Sequence, residues 1–188
     1  MTSYTLDLTP ITTLTHEQFY QLCMANRDIP MERTATGELV IMAPVGGGSG
    51  RLESDLNAAV WNWNRSTGLG VVFSSSTIFH LPNSSDRAPD VAWVALERWQ
   101  ALTPEEQEKF PPLCPDFVIE LRSRSDYLAP LQAKMREYIE NGCRLGWLIN
   151  PQDQQVEIYR PGQAIETLAF PVQLSGESVL PGFMLALP

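Results

Sequence analysis

Apolar and polar positions alternate along Phe117-Val118-Ile119-Glu120-Leu121-Arg122, so Phe117, Ile119 and Leu121 share one face of a strand while Val118, Glu120 and Arg122 share the other. Around this strand, hydrophobic spacing predicts a first helix over 13–26, with Thr15 as cap and Phe19, Leu22 and Cys23 on its apolar side. A strand over 38–43 leads to the run Gly46-Gly47-Gly48-Ser49-Gly50, which lacks the Gly-Lys-Ser/Thr ending of a phosphate cradle and reads as a flexible loop. Leu52, Leu56, Ala59, Val60 and Trp63 form the stripe of a second helix over about 51–64. A strand over 71–81, a turn over 82–86 and a strand at Ala88-Pro89-Asp90-Val91 suggest a hairpin. The polar stretch 97–112 reads as a surface excursion with a helix start at Thr103-Pro104-Glu105-Glu106. A helix over about 129–141, stopped by Gly142, precedes strands over 145–149 and 155–159. A final pairing of 164–168 with the Leu180-Pro181-Gly182-Phe183 tail closes the pattern, which is that of an α/β fold with one mixed central sheet flanked by helices.

A chain of 188 residues with 44% hydrophobic and 19% charged content has enough apolar material for one globular domain over 1–188, its core at about 38–160 and the helix over 13–26 packed at the periphery. The formal net charge of −9 excludes a general nucleic-acid-coating role, because such proteins neutralise phosphates with clustered Lys and Arg. Any DNA contact is therefore expected to be local. Cys23, Cys114 and Cys143 lie far apart among apolar residues and read as reduced thiols, and His16 and His80, the two histidines, lack zinc-site spacing, so no structural zinc is expected. With neither a signal-like N-terminus nor an apolar run of about 20 residues, a soluble, cytoplasmic protein without a membrane role is expected.

Glu120 stands in a strand that should be buried, where a lone carboxylate is costly unless paired, neutralised or coordinated. It could pair with Arg122 at a wet strand end, or share a cation with a second acid. Carboxylates that hold one magnesium or calcium ion must approach within roughly 5 Å. Asp116, four residues away on the same strand, would lie about 13 Å from Glu120 at roughly 3.3 Å per residue. Asp90, on a separate strand able to pair alongside, is the better partner. On the following helix, Lys134 falls inside the stripe of Leu131, Met135, Tyr138 and Ile139, where it either snorkels to water or leans back toward Glu120. Glu53 borders the stripe of the second helix and either complements the helix dipole or joins the site.

Pro89-Asp90 followed by Glu120-Leu121-Arg122 is similar to the PD-(D/E)xK signature of restriction-endonuclease-like nucleases. More closely, Pro115-Asp116-Phe117-Val118-Ile119-Glu120-Leu121-Arg122-Ser123, with Leu131-Gln132-Ala133-Lys134-Met135-Arg136-Glu137-Tyr138 and Leu145-Gly146-Trp147-Leu148-Ile149-Asn150-Pro151, resembles the Uma family of putative restriction endonucleases from about His16 to the C-terminal Pro-Gly-Phe. The resemblance implies a restriction-endonuclease-like core and a divalent-metal site, Mg²⁺ or Mn²⁺, at Asp90 and Glu120, with Glu53 as the additional acid often found in that fold. The Leu121 carbonyl is a candidate third ligand. Arg122 stands where the signature has lysine and cannot serve as a base, so Lys134 is expected to supply the amine. Arg122 and Gln132 are then candidate substrate contacts. The implied activity is metal-dependent endonucleolytic hydrolysis of DNA phosphodiester bonds; the alternatives are a catalytically inactive nuclease-fold binding or regulatory protein and, more remotely, a glycosidase using paired carboxylates. A homodimer through the apolar segment 179–188 is also expected.

Overall fold

The computed structural model describes residues 4–8 and 10–188. After β1 (Tyr4–Leu6), Thr15 caps α1 (His16–Ala25) by a reciprocal box in which its side chain accepts from the Gln18 amide and the Gln18 side chain accepts from the Thr15 amide. β2 (Met31–Arg33) and β3 (Leu39–Ile41) follow, then the long α2 (Gly47–Thr67). Here the structure departs from expectation: the glycine run is the first turn of α2, not a loop, with Gly46 as its N-cap. Glycine costs about 1 kcal/mol per helical position relative to alanine, but Leu56 and Val60 of the same helix are buried in the main core and anchor it.

β4 (Gly70–Ser74) and β5 (Phe79–His80) replace the single strand expected over 71–81. The three small hydroxyl residues Ser75, Ser76 and Thr77 allow a bend, where the Thr77 amide donates to Ser74 O. β5 then pairs with β6 (Asp86–Arg87), whereas β4 pairs with β7 (Val91–Ala95) in a different sheet. The excursion holds α3 (Leu96–Gln100) and α4 (Pro104–Glu108), the latter with a Thr103 capping box. β8 (Phe117–Leu121), α5 (Leu128–Glu140), β9 (Leu145–Asn150), β10 (Gln155–Tyr159) and β11 (Glu166–Ala169) complete the central layer. The tail does not pair with the 164–168 region: β12 (Val172–Ser175) and β13 (Met184–Leu187) form their own antiparallel pair. Leu180 and Phe183 instead pack into the main core, where Phe183 stacks on Trp147.

The central sheet is mixed, in the order β11-β10-β9-β8-β7-β4, with β8 and β9 parallel and the other neighbours antiparallel. Strand alternation sorts its side chains between two cores. Phe117, Ile119 and Leu121 join Trp147 and Ile149 under α2 and the C-terminal segment. Val118 joins Leu148 and Tyr159 under Met135 and Tyr138 of α5. Glu120 lies on the same strand face as Val118. A second sheet, ordered β1-β3-β2-β6-β5, lies along the edge of this arrangement, with Phe19 and Cys23 of α1 packed against Met31 and Leu39.

β4 is held close to β7 by Gly70, where an added Cβ would lie 2.3 Å from Val94 O and 2.4 Å from the Trp93 indole. Gly70→Ala should therefore cost about 1–3 kcal/mol, the usual range for overpacking. Urea unfolding checks this; a variant as stable as the parent would mean that the strand edge yields freely.

Candidate active site

The β7–β8 ladder pairs Val91 with Ile119 and Trp93 with Phe117, so one further step along the same register sets Asp90 opposite Glu120. Residues directly opposite in an antiparallel pair share a sheet face, with Cβ atoms about 4.5–5.5 Å apart. The backbone amide of Leu121 donates to Asp90 Oδ2 at 2.6 Å, which fixes the aspartate at the point where β7 begins. Asp116, by contrast, is buried at the start of β8, where it accepts from the Ala95 amide and pairs with Arg98.

Lys134, one turn and a half into α5, reaches back to this point. Its Nζ lies 2.9 Å from Glu120 Oε1 and 2.7 Å from Glu32 Oε1, and donates to Ala88 O at 3.1 Å. Tyr138, one turn later on α5, donates its hydroxyl to the same Glu120 Oε1 at 3.1 Å. Glu32 comes from β2 of the second sheet, where it also accepts from the Ala88 amide and pairs with Arg87, which in turn pairs with Glu137 of α5. Asp90, Glu120, Lys134, Glu32, Arg87 and Glu137 all line one cleft of about 660 Å³.

The electrostatics follow from burial and from the imbalance of signs. Burial and the neighbouring Glu120 carboxylate push the Asp90 carboxyl well above its usual range. Burial likewise raises Glu120, although the Lys134 ammonium opposes the rise. For Glu32, burial is outweighed by Lys134 and Arg87, and its pKa is lowered. Burial would lower Lys134, but Glu120, Glu32 and Asp90 outweigh it, so the amine stays an ammonium. The carboxyls of Asp90, Glu120, Glu32 and Glu137 thus share the two cations Lys134 and Arg87, and the raised Asp90 and Glu120 mark an excess of negative charge that a cation would relieve. The donor set fits such an ion: the described hydrogen bonds occupy Glu120 Oε1 and Asp90 Oδ2, leaving the second oxygen of each, and carboxylate oxygens suit magnesium or manganese.

Of the other expected site residues, Glu53 of α2 is half-buried and lines, with Asp90, a second cleft that shares Met42, Ala43, Val45, Ala88 and Asp90 with the first. Leu121 lines the acidic cleft and its amide is the donor to Asp90. Arg122 and Gln132 do not join this cluster. Arg122 pairs with Asp153 at 2.9 Å and donates to Asp126 O, because β8 ends at Leu121 and the chain turns toward the β9–β10 connection. Gln132 donates to Glu157 of β10 at 2.7 Å. Sequence reasoning missed Glu32, Arg87 and Tyr138; its available signal was the pair of short segments Glu32-Arg33 and Asp86-Arg87, in which opposite charges adjoin at what become neighbouring strands.

A mixed sheet with an acid at the start of one strand, a second acid on its neighbour and a lysine from the next helix defines a restriction-endonuclease-like fold. A family model described as Uma2, putative restriction endonuclease, matches residues 16–188, and the chain belongs to that family. The structure is similar to that of a putative nuclease belonging to DUF820 from Anabaena variabilis, with a TM-score of 0.73 over 83% of this chain and 86% of that chain. At 18% identity this likeness speaks for the fold alone. No curated protein matches the chain.

Because the folded-state pKa of Asp90 is raised, the native chain retains a proton that the unfolded chain releases, and stability falls as pH rises through that pKa. Asp90→Asn should therefore melt like the parent only at about pH 2.5, well below the unfolded aspartate pKa of about 3.9, where both states of the acid are protonated, and be more stable at neutral pH without added metal, by on the order of 1 kcal/mol. Thermal melts in chelator across this range read it directly. An equal or lower melting temperature for the variant at neutral pH would show that Asp90 is not under charge strain.

Proposed function

We propose that the acidic cleft hydrolyses DNA phosphodiester bonds with the help of a divalent cation. The observation that carries this reading is the buried pair Asp90 and Glu120, both with raised pKa values, beside a lysine that remains charged. Such a cluster is short of positive charge, which a divalent cation would supply, and perturbed acids of this kind in a cleft are frequent at catalytic sites. Asp90 and Glu120 would hold magnesium or manganese, with the Leu121 carbonyl as a further oxygen donor; when bound, the ion polarises a phosphoryl oxygen and acidifies water.

The chain's own residues supply the rest. Lys134 offers positive charge to a scissile phosphate at the cleft, and cannot act as a proton acceptor while Glu32 and Glu120 keep it protonated. Glu32 and Arg87 position Lys134 rather than touch substrate. Glu53, on the adjoining wall beside Asp90, is the acceptor for the water proton. Exposed Arg136, on the rim of the cleft, gives DNA a local contact that an acidic protein otherwise lacks.

One observation favours the second reading, a nuclease-fold binding protein without catalysis. Arg122, at the signature's lysine position, is engaged by Asp153 and Asn150, and Lys134 is enclosed by two carboxylates and a carbonyl. Nicking of supercoiled plasmid with magnesium or manganese separates the two. Glu120→Gln, which keeps the shape and loses the charge, should abolish nicking by at least a hundredfold while the circular dichroism spectrum is unchanged. Binding of plasmid without nicking by the parent chain would establish the second reading; nicking retained in Glu120→Gln would put the chemistry elsewhere.

A further inference from the structure

The two residues of β6 project to opposite sides: Arg87 to the acidic cleft, Asp86 away from it. Asp86 is fully buried. Its Oδ2 accepts from Arg33 Nε at 2.7 Å, and its Oδ1 is met by His16 Nδ1 at 2.8 Å and His80 Nδ1 at 2.9 Å. The imidazole rings lie 3.9 Å apart between centroids and are 34% and 24% exposed at the side chain, so an ion can reach them from solvent. The chain has two histidines in all, and the fold brings both, from the first position of α1 and from β5, onto a single carboxylate oxygen.

We propose that His16, His80 and Asp86 form a binding site for a borderline transition-metal ion of the zinc type, separate from the acidic cleft. Each residue offers one ligand atom, and the three atoms lie within 4.8 Å of one another. Two imidazole nitrogens and one carboxylate oxygen select zinc, cobalt or nickel, whereas magnesium prefers oxygen alone. Arg33 is the outer partner that orients Asp86, leaving Oδ1 turned to the rings. Bonds to zinc of about 2.0–2.2 Å in a tetrahedral arrangement need ligand atoms roughly 3.3 Å apart, so the contacts seen here open by about half an ångström as the ion replaces the ring N–H hydrogen bonds. Each neutral ring would then carry its proton on Nε2 and present the Nδ1 lone pair to the ion. Its structural effect is to tie α1 to β5 and β6, and through β6 to Arg87 on the cleft side.

The test uses the full chain without a histidine tag, stripped with chelator and titrated with cobalt(II). One equivalent is expected to bind with the visible absorption of four-coordinate cobalt, and to be displaced by zinc. X-ray absorption of the zinc form should show imidazole, which in this chain comes from His16 and His80 and nowhere else. His16→Gln and His80→Gln should each weaken binding at least about tenfold, while Glu120→Gln retains it. Should either histidine variant fail to fold, imidazole scattering in the parent protein decides alone. Absence of stoichiometric binding, absence of imidazole on the metal, or loss of binding in Glu120→Gln overturns the site; the first would leave His16 and His80 as a hydrogen-bonded clamp on Asp86.

Discussion

The ammonium of Lys134, buried between Glu32 and Glu120, is the contact on which the cleft depends. It joins three elements that share no backbone pairing: β2 of the edge sheet, β8 of the central sheet and α5 that covers it. A buried ion pair with excellent geometry can still be a weak stabiliser, because desolvation offsets most of the attraction. What it does more surely is define position, since removing any one partner leaves an uncompensated charge in a site of low polarity. The carboxylate that this lysine does not fully satisfy is Asp90, and that remaining strain is where the cluster is open to a cation.

The second sheet has a purpose that its small size conceals. β2 and β6 are three and two residues long, yet each sends alternate side chains to two different polar clusters. Glu32 and Arg87 go to the cleft, Arg33 and Asp86 to the histidines, and Arg33 pairs with Asp86 in the ladder itself. Two polar networks thus lie back to back across one short ladder.

Much of the central layer is legible from one-dimensional patterns. The caps at Thr15 and Thr103, the stop at Gly142, and the strands around Glu120, Trp147 and Val156 are local signals of turn chemistry and alternation, and the structure has elements at each. Errors occurred where tertiary packing overrode local preference. The glycine run became helical because Leu56 and Val60, farther along the same helix, are buried; the 71–81 region split because its two ends belong to different sheets; and the tail paired with β12 because Phe183 is drawn into the core beside Trp147.

The sequence by itself determined that an acid and a lysine occupy apolar patterns, at Glu120 and Lys134, and that Asp90 lies on a strand able to run beside the first. Period-2 and period-3.6 spacing suffices for that, because each concerns residues near one another in the chain. The tertiary structure alone decided that Glu32 and Arg87 complete the cluster, that Arg122 and Gln132 turn to other partners, and that His16 and His80 meet at Asp86. These contacts join distant parts of the chain, and which charges meet depends on how the two sheets are set against each other, a relation that no local spacing encodes.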